Sequence, residues 1–428
     1  MRPLRLRADW ALPVDAAPLP HAAVLIGADG RIACVGPDAE VPSPAGAQRE
    51  DLGGAILLPG FVNAHSHLEL TGFAEHAPGE DQAFREWIQN IRSIKALRSS
   101  QDFLEAARRG VRDCWASGIT TVADTGDSGS VIQALAELGG SGICYQEVFG
   151  PDPAQCSESL AGLEAAVGRL APFATGRIRL GVSPHAPYTV SGPLYAAVAA
   201  WAGSRRLPMA VHIAESPEES EFVSHGRGPF AEAWANRGIP LLDHESHQSP
   251  TPKPRSPVEW LDSHGVLGPA TLCIHAIQLT PTDIALLARR GASVAHCPLS
   301  NARHRHGAAP LRALREAGIR VGLGTDSVAS VDRLDCFAEA RAARDLGGLS
   351  AEDAVALATL DGARALGLEP ETGSLTPGKW GDVVAVAPGG SKSGPPTSPA
   401  EAALAAGPGA VRMTVLSGRV VYRRGAPA

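Results

Sequence analysis

Several features are scarce or missing in this sequence, and each absence narrows the class of protein. None of the 428 residues belongs to a run of about 18 apolar residues, the length that a membrane-spanning helix needs, so we expect no membrane partner. Positive charge is not in excess either, since 38 Lys and Arg face 45 Asp and Glu and give a net charge of −7. That balance argues against nucleic acid as a partner.

Paired cysteines are also missing. The seven cysteines are scattered and form no CxxC motif, which argues against a disulfide framework and favours a reducing compartment. The first residues, 1–15, contain basic side chains but no continuous apolar segment of the kind found in signal peptides. We therefore expect a cytoplasmic protein.

Strand-like and helix-like segments alternate through the middle of the chain, which is typical of parallel βα units. Eight such units over roughly 310 residues predict a TIM-type (β/α)8 barrel. The predicted strands cover residues 55–65, 119–124, 142–149, 178–184, 208–214, 271–276, 292–297 and 319–325.

Short β-like runs separated by turn residues occupy both ends of the chain. Asp29-Gly30 lies between two apolar runs near the start, and Gly418 follows another near the end. We predict one small β-sandwich domain built from residues 1–57 and 371–428, and a barrel domain over 58–370.

Nearly every predicted barrel strand ends in a polar or ionisable residue, where the chemistry of such barrels takes place. His65 and His67 are two residues apart and therefore point to the same face of one strand. With His212 and Asp326 they form a set of three nitrogens and one carboxylate that leaves room for water, as in catalytic metal sites. A bound ion would lower the pKa of its water.

Two further residues at strand ends could carry protons or charge. Glu215 follows His212 by three residues and could shuttle a proton to the ring or leaving nitrogen. His275 could steady a developing oxyanion, and Asp326 could also take a proton from the attacking water. We interpret the nearby Glu218, Glu219 and Glu221 as an exposed helix start.

These motifs resemble the amidohydrolase superfamily, in its deaminase and chlorohydrolase branch. The resemblance runs from about residue 53 to 379 and rests on the following blocks: His65-Ser66-His67, His212 with Glu215, His275, Gly324-Thr325-Asp326, Ser183-Pro184-His185-Ala186-Pro187-Tyr188, and Cys297-Pro298-Leu299-Ser300-Asn301. It implies a distorted (β/α)8 barrel, a β-sandwich from both termini, one divalent metal ion, and hydrolysis of C–N or C–Cl bonds on nitrogen rings.

Lysine usage bears on the number of metal ions. Two-metal relatives bridge their ions through a carboxylated lysine at the end of strand four, but this sequence has no lysine between Lys95 and Lys253. The resemblance therefore implies a single divalent ion. We expect Zn(II) first and Fe(II) as the alternative, because imidazole and carboxylate ligands suit both.

The substrate contacts follow from the resemblance as well. Glu69 and Trp87 lie in a block similar to one in aminodeoxyfutalosine deaminases, and His185 resembles a histidine that contacts substrate in deaminases of adenosine derivatives, the adenosylhomocysteine type included. Arg303 belongs to a basic run that departs from the usual pattern and could contact an anionic group. The leading prediction is hydrolytic deamination of an exocyclic amine on a purine-like ring.

Two alternatives stay open. The enzyme could hydrolyse another C–N or C–Cl bond on an N-heterocycle, with a guanine, cytosine, triazine or imidazolone substrate, or the chain could be a non-catalytic scaffold. A homodimer would be the commonest symmetric assembly.

The long connection 222–262, with its Pro-rich run and histidines, is predicted to be a lid or specificity element.

Overall fold

The computed structural model describes residues 1–79, 82–241, 255–389, 398–407 and 409–425. Its strands, in chain order, are β1 (Leu4–Ala11), β2 (Leu19–Ile26), β3 (Ile32–Pro37), β4 (Gln48–Asp51), β5 (Ile56–Pro59), β6 (Phe61–Ser66), β7 (Ile119–Gly126), β8 (Gly142–Val148), β9 (Ile178–Pro184), β10 (Met209–Ile213), β11 (Thr271–His275), β12 (Ser293–His296), β13 (Val321–Leu323), β14 (Val383–Val386), β15 (Val411–Leu416) and β16 (Arg419–Arg423).

The α-helices mostly lie between the strands of the central region. They are α1 (Phe84–Lys95), α2 (Ser100–Ala116), α3 (Ser130–Leu138), α4 (Cys156–Leu170), α5 (Gly192–Arg205), α6 (Pro217–His225), α7 (Pro229–Ala235), α8 (Pro257–Ser263), α9 (Pro281–Arg290), α10 (Pro298–Arg303), α11 (Leu311–Glu316), α12 (Val328–Val331), α13 (Cys336–Gly347), α14 (Ala351–Leu357), α15 (Leu360–Ala365) and α16 (Pro399–Leu404). None of the described helices is long and apolar enough to cross a membrane.

Strands β6 to β13 form one parallel sheet in chain order. The two edge strands meet, because the backbone N–H groups of Thr325 and Asp326 both donate to the carbonyl of His65 at 3.0 Å. Asn63 strengthens this seam, since its Oδ1 accepts from the Thr325 N–H at 3.0 Å and its Nδ2 donates to the Thr325 hydroxyl at 2.7 Å. The predicted distorted (β/α)8 barrel is therefore confirmed.

A second sheet contains strands from both ends of the chain, in the order β16-β15-β14-β5-β1-β2-β3, with β4 beside β1. Its pairs are mostly antiparallel, and β14 pairs with β5 across more than 300 residues of sequence. The predicted β-module of the two termini is thus confirmed, while the domain limits 1–57, 371–428 and 58–370 stay predictions.

One predicted strand is wrong in its extent. The sequence predicts a continuous strand over 55–65, but β5 belongs to the mixed sheet and β6 to the barrel, with Gly60 between them. A Cβ at Gly60 would lie 2.2 Å from Oγ1 of Thr120, so only glycine lets the chain cross there without displacing a neighbour. A run of apolar residues is compatible with a strand in either sheet. The sequence pattern therefore does not show that the chain passes from one sheet to the other at Gly60.

The long connection 222–262 belongs only in part to the described residues. Helix α7 lies within it and α8 begins in it, whereas residues 242–254, with the Pro-rich run and two of its histidines, fall outside the described residues. Its predicted role as a lid stays a prediction.

Candidate metal centre and active-site cavity

The predicted ligands meet at the carboxyl ends of three barrel strands. His65 lies near the end of β6 with His67 just beyond it, His212 lies in β10, and Asp326 follows β13. The side-chain nitrogens of the three histidines come within 4.8 Å of one another. Because parallel strands end on the same face of a barrel, residues about 260 positions apart converge on one point.

The donor atoms converge without bonding to each other. Oδ1 of Asp326 is 3.7 Å from Nε2 of His65 and 3.6 Å from Nε2 of His67, which is longer than a hydrogen bond. The rings of His65 and His67 meet edge to face with centroids 4.7 Å apart. This spacing is what a set of ligands around a small ion requires.

Unpaired nitrogens at this point fit a divalent ion. Among the described residues, both ring nitrogens of His65 and Nδ1 of His212 are buried and have no hydrogen-bond partner, an arrangement that ordinarily costs free energy. Burial lowers the pKa of His65 to about 4 and lowers that of His212 well below its ordinary value, so both imidazoles are neutral. Neutral imidazole is the form that binds metal ions.

Asp326 is ionised and firmly held. Burial alone would raise its pKa, but the neighbouring His65 and His67 hold that pKa well below the usual range. Its Oδ2 accepts from the Ser300 hydroxyl at 2.5 Å and its Oδ1 accepts from the Ser327 N–H at 2.7 Å. These bonds leave the carboxylate negatively charged and aimed at the histidines.

Glu215 and His275 lie next to each other beside the predicted metal ligands, and both side chains can transfer protons. Oε1 of Glu215 is 3.5 Å from Nε2 of His275. Burial, with the negative charges of Asp326 and Glu219, raises the pKa of Glu215 well above its ordinary value, which favours the protonated side chain. Nδ1 of His275 lies 3.0 Å from Oδ1 of Asn301, an amide oxygen that can only accept, so Nδ1 carries the ring proton. Nε2 of the neutral ring then carries no proton and faces Glu215 as an acceptor.

The backbone that carries these residues is strained. Ala214, His275, Ala276 and Asp326 all have φ between 50° and 68°, which non-glycine residues rarely adopt. Glu219 supports the first of these positions, because its carboxylate accepts the N–H groups of Ala214 at 2.7 Å and Glu215 at 2.9 Å. The expectation that Glu219 is exposed is wrong: its exposed fraction is 0%.

A cavity of about 560 Å³ opens onto the ligands. Trp87 and His185 line it, as do His67, Glu215 and His275. Burial lowers the pKa of His185 to about 3, so its ring is neutral, and its Nδ1 is 2.9 Å from the Thr189 hydroxyl.

The other two predicted substrate contacts lie elsewhere. Glu69 is buried behind the cavity wall, where it pairs with Nζ of Lys95 at 2.6 Å and accepts from the Ser128 hydroxyl. Lys95, which also pairs with Asp127 at 2.7 Å, is the residue that lines the cavity. Arg303 is exposed, donates to the Pro78 carbonyl at 3.3 Å, and is not among the described lining residues.

Sequence reasoning missed His306 and undervalued Glu147. Nδ1 of His306 is 3.6 Å from Oε1 of Glu215, although the surrounding basic run suggested a surface loop. Glu147 is buried at the end of β8, and its Oε1 has no hydrogen-bond partner among the described residues; it forms a second compact group with His185 and His212. The alternation of histidine and arginine after Asn301 was the signal for His306, since an imidazole tolerates burial better than a guanidinium does.

The barrel and its histidine cluster define the class of (β/α)8 metal-dependent hydrolases. The sequence model of the family described as "Amidohydrolase family" matches residues 56–421, and the chain belongs to that family. The predictions of an amidohydrolase and of a hydrolase acting on C–N bonds are thereby confirmed.

Three similar proteins are informative. The 5-methylthioadenosine/S-adenosylhomocysteine deaminase of Symbiobacterium thermophilum is 32% identical over 92% of this chain and 87% of its own length. The aminodeoxyfutalosine deaminase of Deinococcus radiodurans is 33% identical over 74% of this chain and 75% of its own. The crystal structure of an adenosine deaminase from Xanthomonas campestris with bound zinc superposes with a TM-score of 0.80 at 26% identity, over 97% of this chain and 92% of that one.

Proposed function

We propose that this enzyme removes the exocyclic amine from the purine-like ring of an adenosine derivative by hydrolysis, with one divalent metal ion. The observation that carries the proposal is the meeting of three histidine side chains within 4.8 Å beside the buried Glu215–His275 pair, at the floor of a cavity. The deaminase relatives described above support the reaction class.

His65, His67, His212 and Asp326 would hold the ion. Bound there, a divalent ion would supply Lewis acidity and activate water at neutral pH. The missing strand-four lysine supports a single ion, and Zn(II) is preferred to Fe(II) because a structural relative binds zinc.

The side chains of this site suit the proton transfers of deamination. Protonated Glu215 would donate to the ring nitrogen next to the amine-bearing carbon while the oxygen of water adds to that carbon. Asp326, with His275 beside it, would accept the proton that this water loses. Glu215, now a carboxylate, would take the hydroxyl proton of the adduct and pass it to the exocyclic nitrogen as the C–N bond breaks, which gives ammonia and the oxo ring. The proton held by Asp326 would then return to Glu215.

The cavity walls would position the ring. Trp87 offers an aromatic surface, and His185 lines the same cavity, in which a substrate would lie. Glu69 would act through Lys95, whose position it fixes. Contact of Arg303 with an anionic group stays a proposal for a part of the substrate outside the cavity.

We further propose a cytoplasmic location and a homodimer. All seven cysteines are free, which supports the location. Light scattering on the purified protein would decide the assembly.

Release of ammonia from a panel of substrates tests the proposed function. The panel contains adenosine, 5'-deoxyadenosine, 5'-methylthioadenosine and S-adenosylhomocysteine, with guanine, cytosine and a triazine as competitors. We expect the adenosine derivatives to give the highest kcat/KM. Preference for guanine, cytosine or the triazine, or no turnover of any compound by metal-loaded protein, would overturn the proposal.

A further inference from the structure

His306 is a buried histidine that the proposed mechanism does not use. Its exposed fraction is 4%, and within the part of the chain that the structure describes neither ring nitrogen has a hydrogen-bond partner. A buried imidazole without a partner costs free energy, unless another state of the molecule supplies one. The carboxyl oxygen beside its Nδ1 is Oε1 of Glu215, 3.6 Å away.

Oε1 of Glu215 has two imidazole neighbours. Nε2 of His275 is 3.5 Å from this oxygen, and Nδ1 of His306 is 3.6 Å from it. Both distances are slightly longer than a hydrogen bond, which is common for catalytic groups before the substrate is bound. One carboxyl oxygen can therefore bond to either of two ring nitrogens.

Asn301 holds both histidines in place. Its Oδ1 is 3.0 Å from Nδ1 of His275, and its backbone carbonyl accepts the N–H of His306 at 3.0 Å. The carbonyl of His306 in turn accepts from Nε2 of Gln278 at 2.5 Å. The backbone of His306 is therefore fixed at both of its polar groups.

Aromatic rings pack against the side chain of His306. The ring of Phe84 meets it edge to face at a centroid distance of 4.5 Å, and the ring of His304 stacks on it at 5.2 Å. His306 is not among the described residues that line the active-site cavity. Any effect of His306 on the reaction is therefore transmitted by Glu215.

The two protonation states of Glu215 need different neighbours. When Oε1 carries a proton, the unprotonated Nε2 of His275 can accept a hydrogen bond from it. When that proton has moved to the substrate ring, the carboxylate needs a donor instead. Burial, with His304 and His275 nearby, lowers the pKa of His306 to about 3, so its ring is neutral and carries one proton. On Nδ1 this proton would meet the carboxylate, whereas on Nε2 it would have no acceptor among the described residues.

We infer that His306 is the Nδ1–H tautomer and donates a hydrogen bond to Oε1 of Glu215 when Glu215 is ionised. This inference rests on the proposed function, because it takes Glu215 to alternate between acid and carboxylate in each turnover. No proton leaves His306, and its N–H stabilises the carboxylate that forms as the ring nitrogen of the substrate gains a proton. His306 is thus a positioning residue that acts through Glu215.

Other groups around Glu215 also bear on its protonation. The Tyr188 hydroxyl favours the carboxylate and so acts in the same direction as His306. Burial opposes the carboxylate, as do the negative charges of three neighbours: Asp326, Glu219 and Glu218. All of these groups stay in place when His306 is replaced, so a change in the protonation of Glu215 can be assigned to His306.

A pair of substitutions separates the hydrogen bond from packing. His306→Leu removes the donor, whereas His306→Asn keeps an N–H group at the same number of bonds from the backbone as Nδ1. Loss of a charge-assisted hydrogen bond predicts that kcat falls about 10- to 100-fold in His306→Leu, while KM stays within about twofold of the wild type. His306→Asn should recover most of this loss. The substrate is the adenosine derivative with the highest kcat/KM.

The pH profile of kcat/KM gives a result that altered packing alone would not produce. Turnover needs protonated Glu215, so it falls as pH rises through the pKa of this group. A donor to the carboxylate lowers that pKa, and removal of the donor raises it. In His306→Leu the alkaline fall should therefore move to higher pH by about one pH unit, and in His306→Asn it should stay near its wild-type position.

His304→Leu is the matched control. It removes the ring that stacks on His306 and that also packs on Trp87 at 4.4 Å, but none of the described contacts of His304 reaches Glu215. The alkaline fall should keep its wild-type position in this variant. Elemental analysis and thermal unfolding check that all three variants hold metal and are folded.

Each outcome decides the inference. An unshifted alkaline fall in His306→Leu, equal behaviour of His306→Leu and His306→Asn, or the same shift in His304→Leu would overturn it and leave the proposed deaminase function intact. If no nucleoside is deaminated, the proposed function fails, and the tautomer of His306 still tests the inference. Nitrogen NMR of protein with isotope-labelled histidine, in which the signals lost in His306→Asn belong to His306, should show the proton on Nδ1. A proton on Nε2 would overturn the inference.

Discussion

Two buried polar sites in this protein are built in opposite ways. Asp382, beside the mixed sheet, is 2% exposed and has every partner it needs: Arg177 at 2.8 and 2.5 Å, the Thr372 hydroxyl at 2.8 Å and the Ser417 N–H at 3.0 Å. His65, at the end of β6, is 1% exposed, and neither of its ring nitrogens has a hydrogen-bond partner among the described residues.

The difference separates a structural site from a functional one. A satisfied buried charge fixes the packing of two segments, whereas an unsatisfied buried group is tolerated only where something else compensates for it. A missing hydrogen-bond partner does not by itself identify a metal ligand, because the position of the group relative to other ligands matters as well. His296 is also buried and unpaired, but it does not belong to either group of potential metal ligands in the described residues.

The largest effect should come from the functional site. Glu215→Gln removes the proposed proton carrier and keeps the shape of the side chain, so kcat should fall by about 10²- to 10⁴-fold. Metal content and the midpoint of thermal unfolding should stay close to those of the wild type, as measured by elemental analysis and calorimetry. Near-normal turnover with bound metal would rule out this role for Glu215.

Breaking the structural site should have the reverse consequence. Asp382→Ala leaves the guanidinium of Arg177 buried without its partner and should cost about 3 kcal/mol of unfolding free energy, while kcat of the folded protein changes little. Asp262→Ala, in the partly exposed pair with Arg290, is the control and should cost less than about 1 kcal/mol. Chemical denaturation measures both, and equal costs would contradict the contrast.

The crossing between the two sheets offers a smaller test of stability. Gly60→Ala places a methyl group against Thr120 and should cost about 1–3 kcal/mol. Gly168→Ala, on α4 with no atom within 4 Å of the added Cβ, should instead stabilise the protein by about 0.5–1 kcal/mol. Similar unfolding midpoints for the two variants would show that the crossing at Gly60 is not tight.

The last effect concerns pH. Burial raises the pKa of Glu219 to about 7 from its ordinary value of 4.5, so the folded protein holds a proton there that the unfolded chain releases. Stability contributed by this group is therefore lost as pH rises from about 4.5 to about 7, by on the order of 1 kcal/mol per pH unit. Glu219→Gln should have a flatter stability profile than the wild type over that range, and parallel profiles would contradict the assignment.

Much of this architecture could be predicted from the sequence because its signals are local. The His65-Ser66-His67 motif, the alternation of strands and helices, and the polar residues at strand ends each follow from periodicities of a few residues. The convergence of His212 and Asp326 on the first histidines then follows from the geometry of a parallel barrel.

The residues that sequence reasoning missed depend on long-range packing. Glu219 resembles any acidic helix start until the strained turn at Ala214 brings two N–H groups to its carboxylate. Glu69 looks like a pocket residue until Lys95, 26 positions later, covers it. Gly60 divides an apolar run between two sheets, and no local pattern marks that division.

The central claim is that the unpaired histidines hold one divalent ion, and metal analysis tests it most directly. Purified protein, His65→Ala and His296→Ala would be loaded with Zn(II), dialysed, and analysed by inductively coupled plasma mass spectrometry. We predict one equivalent of metal per chain for the wild type and for His296→Ala, and close to none for His65→Ala. Well below one equivalent in the wild type, or equal metal content in all three proteins, would contradict the claim.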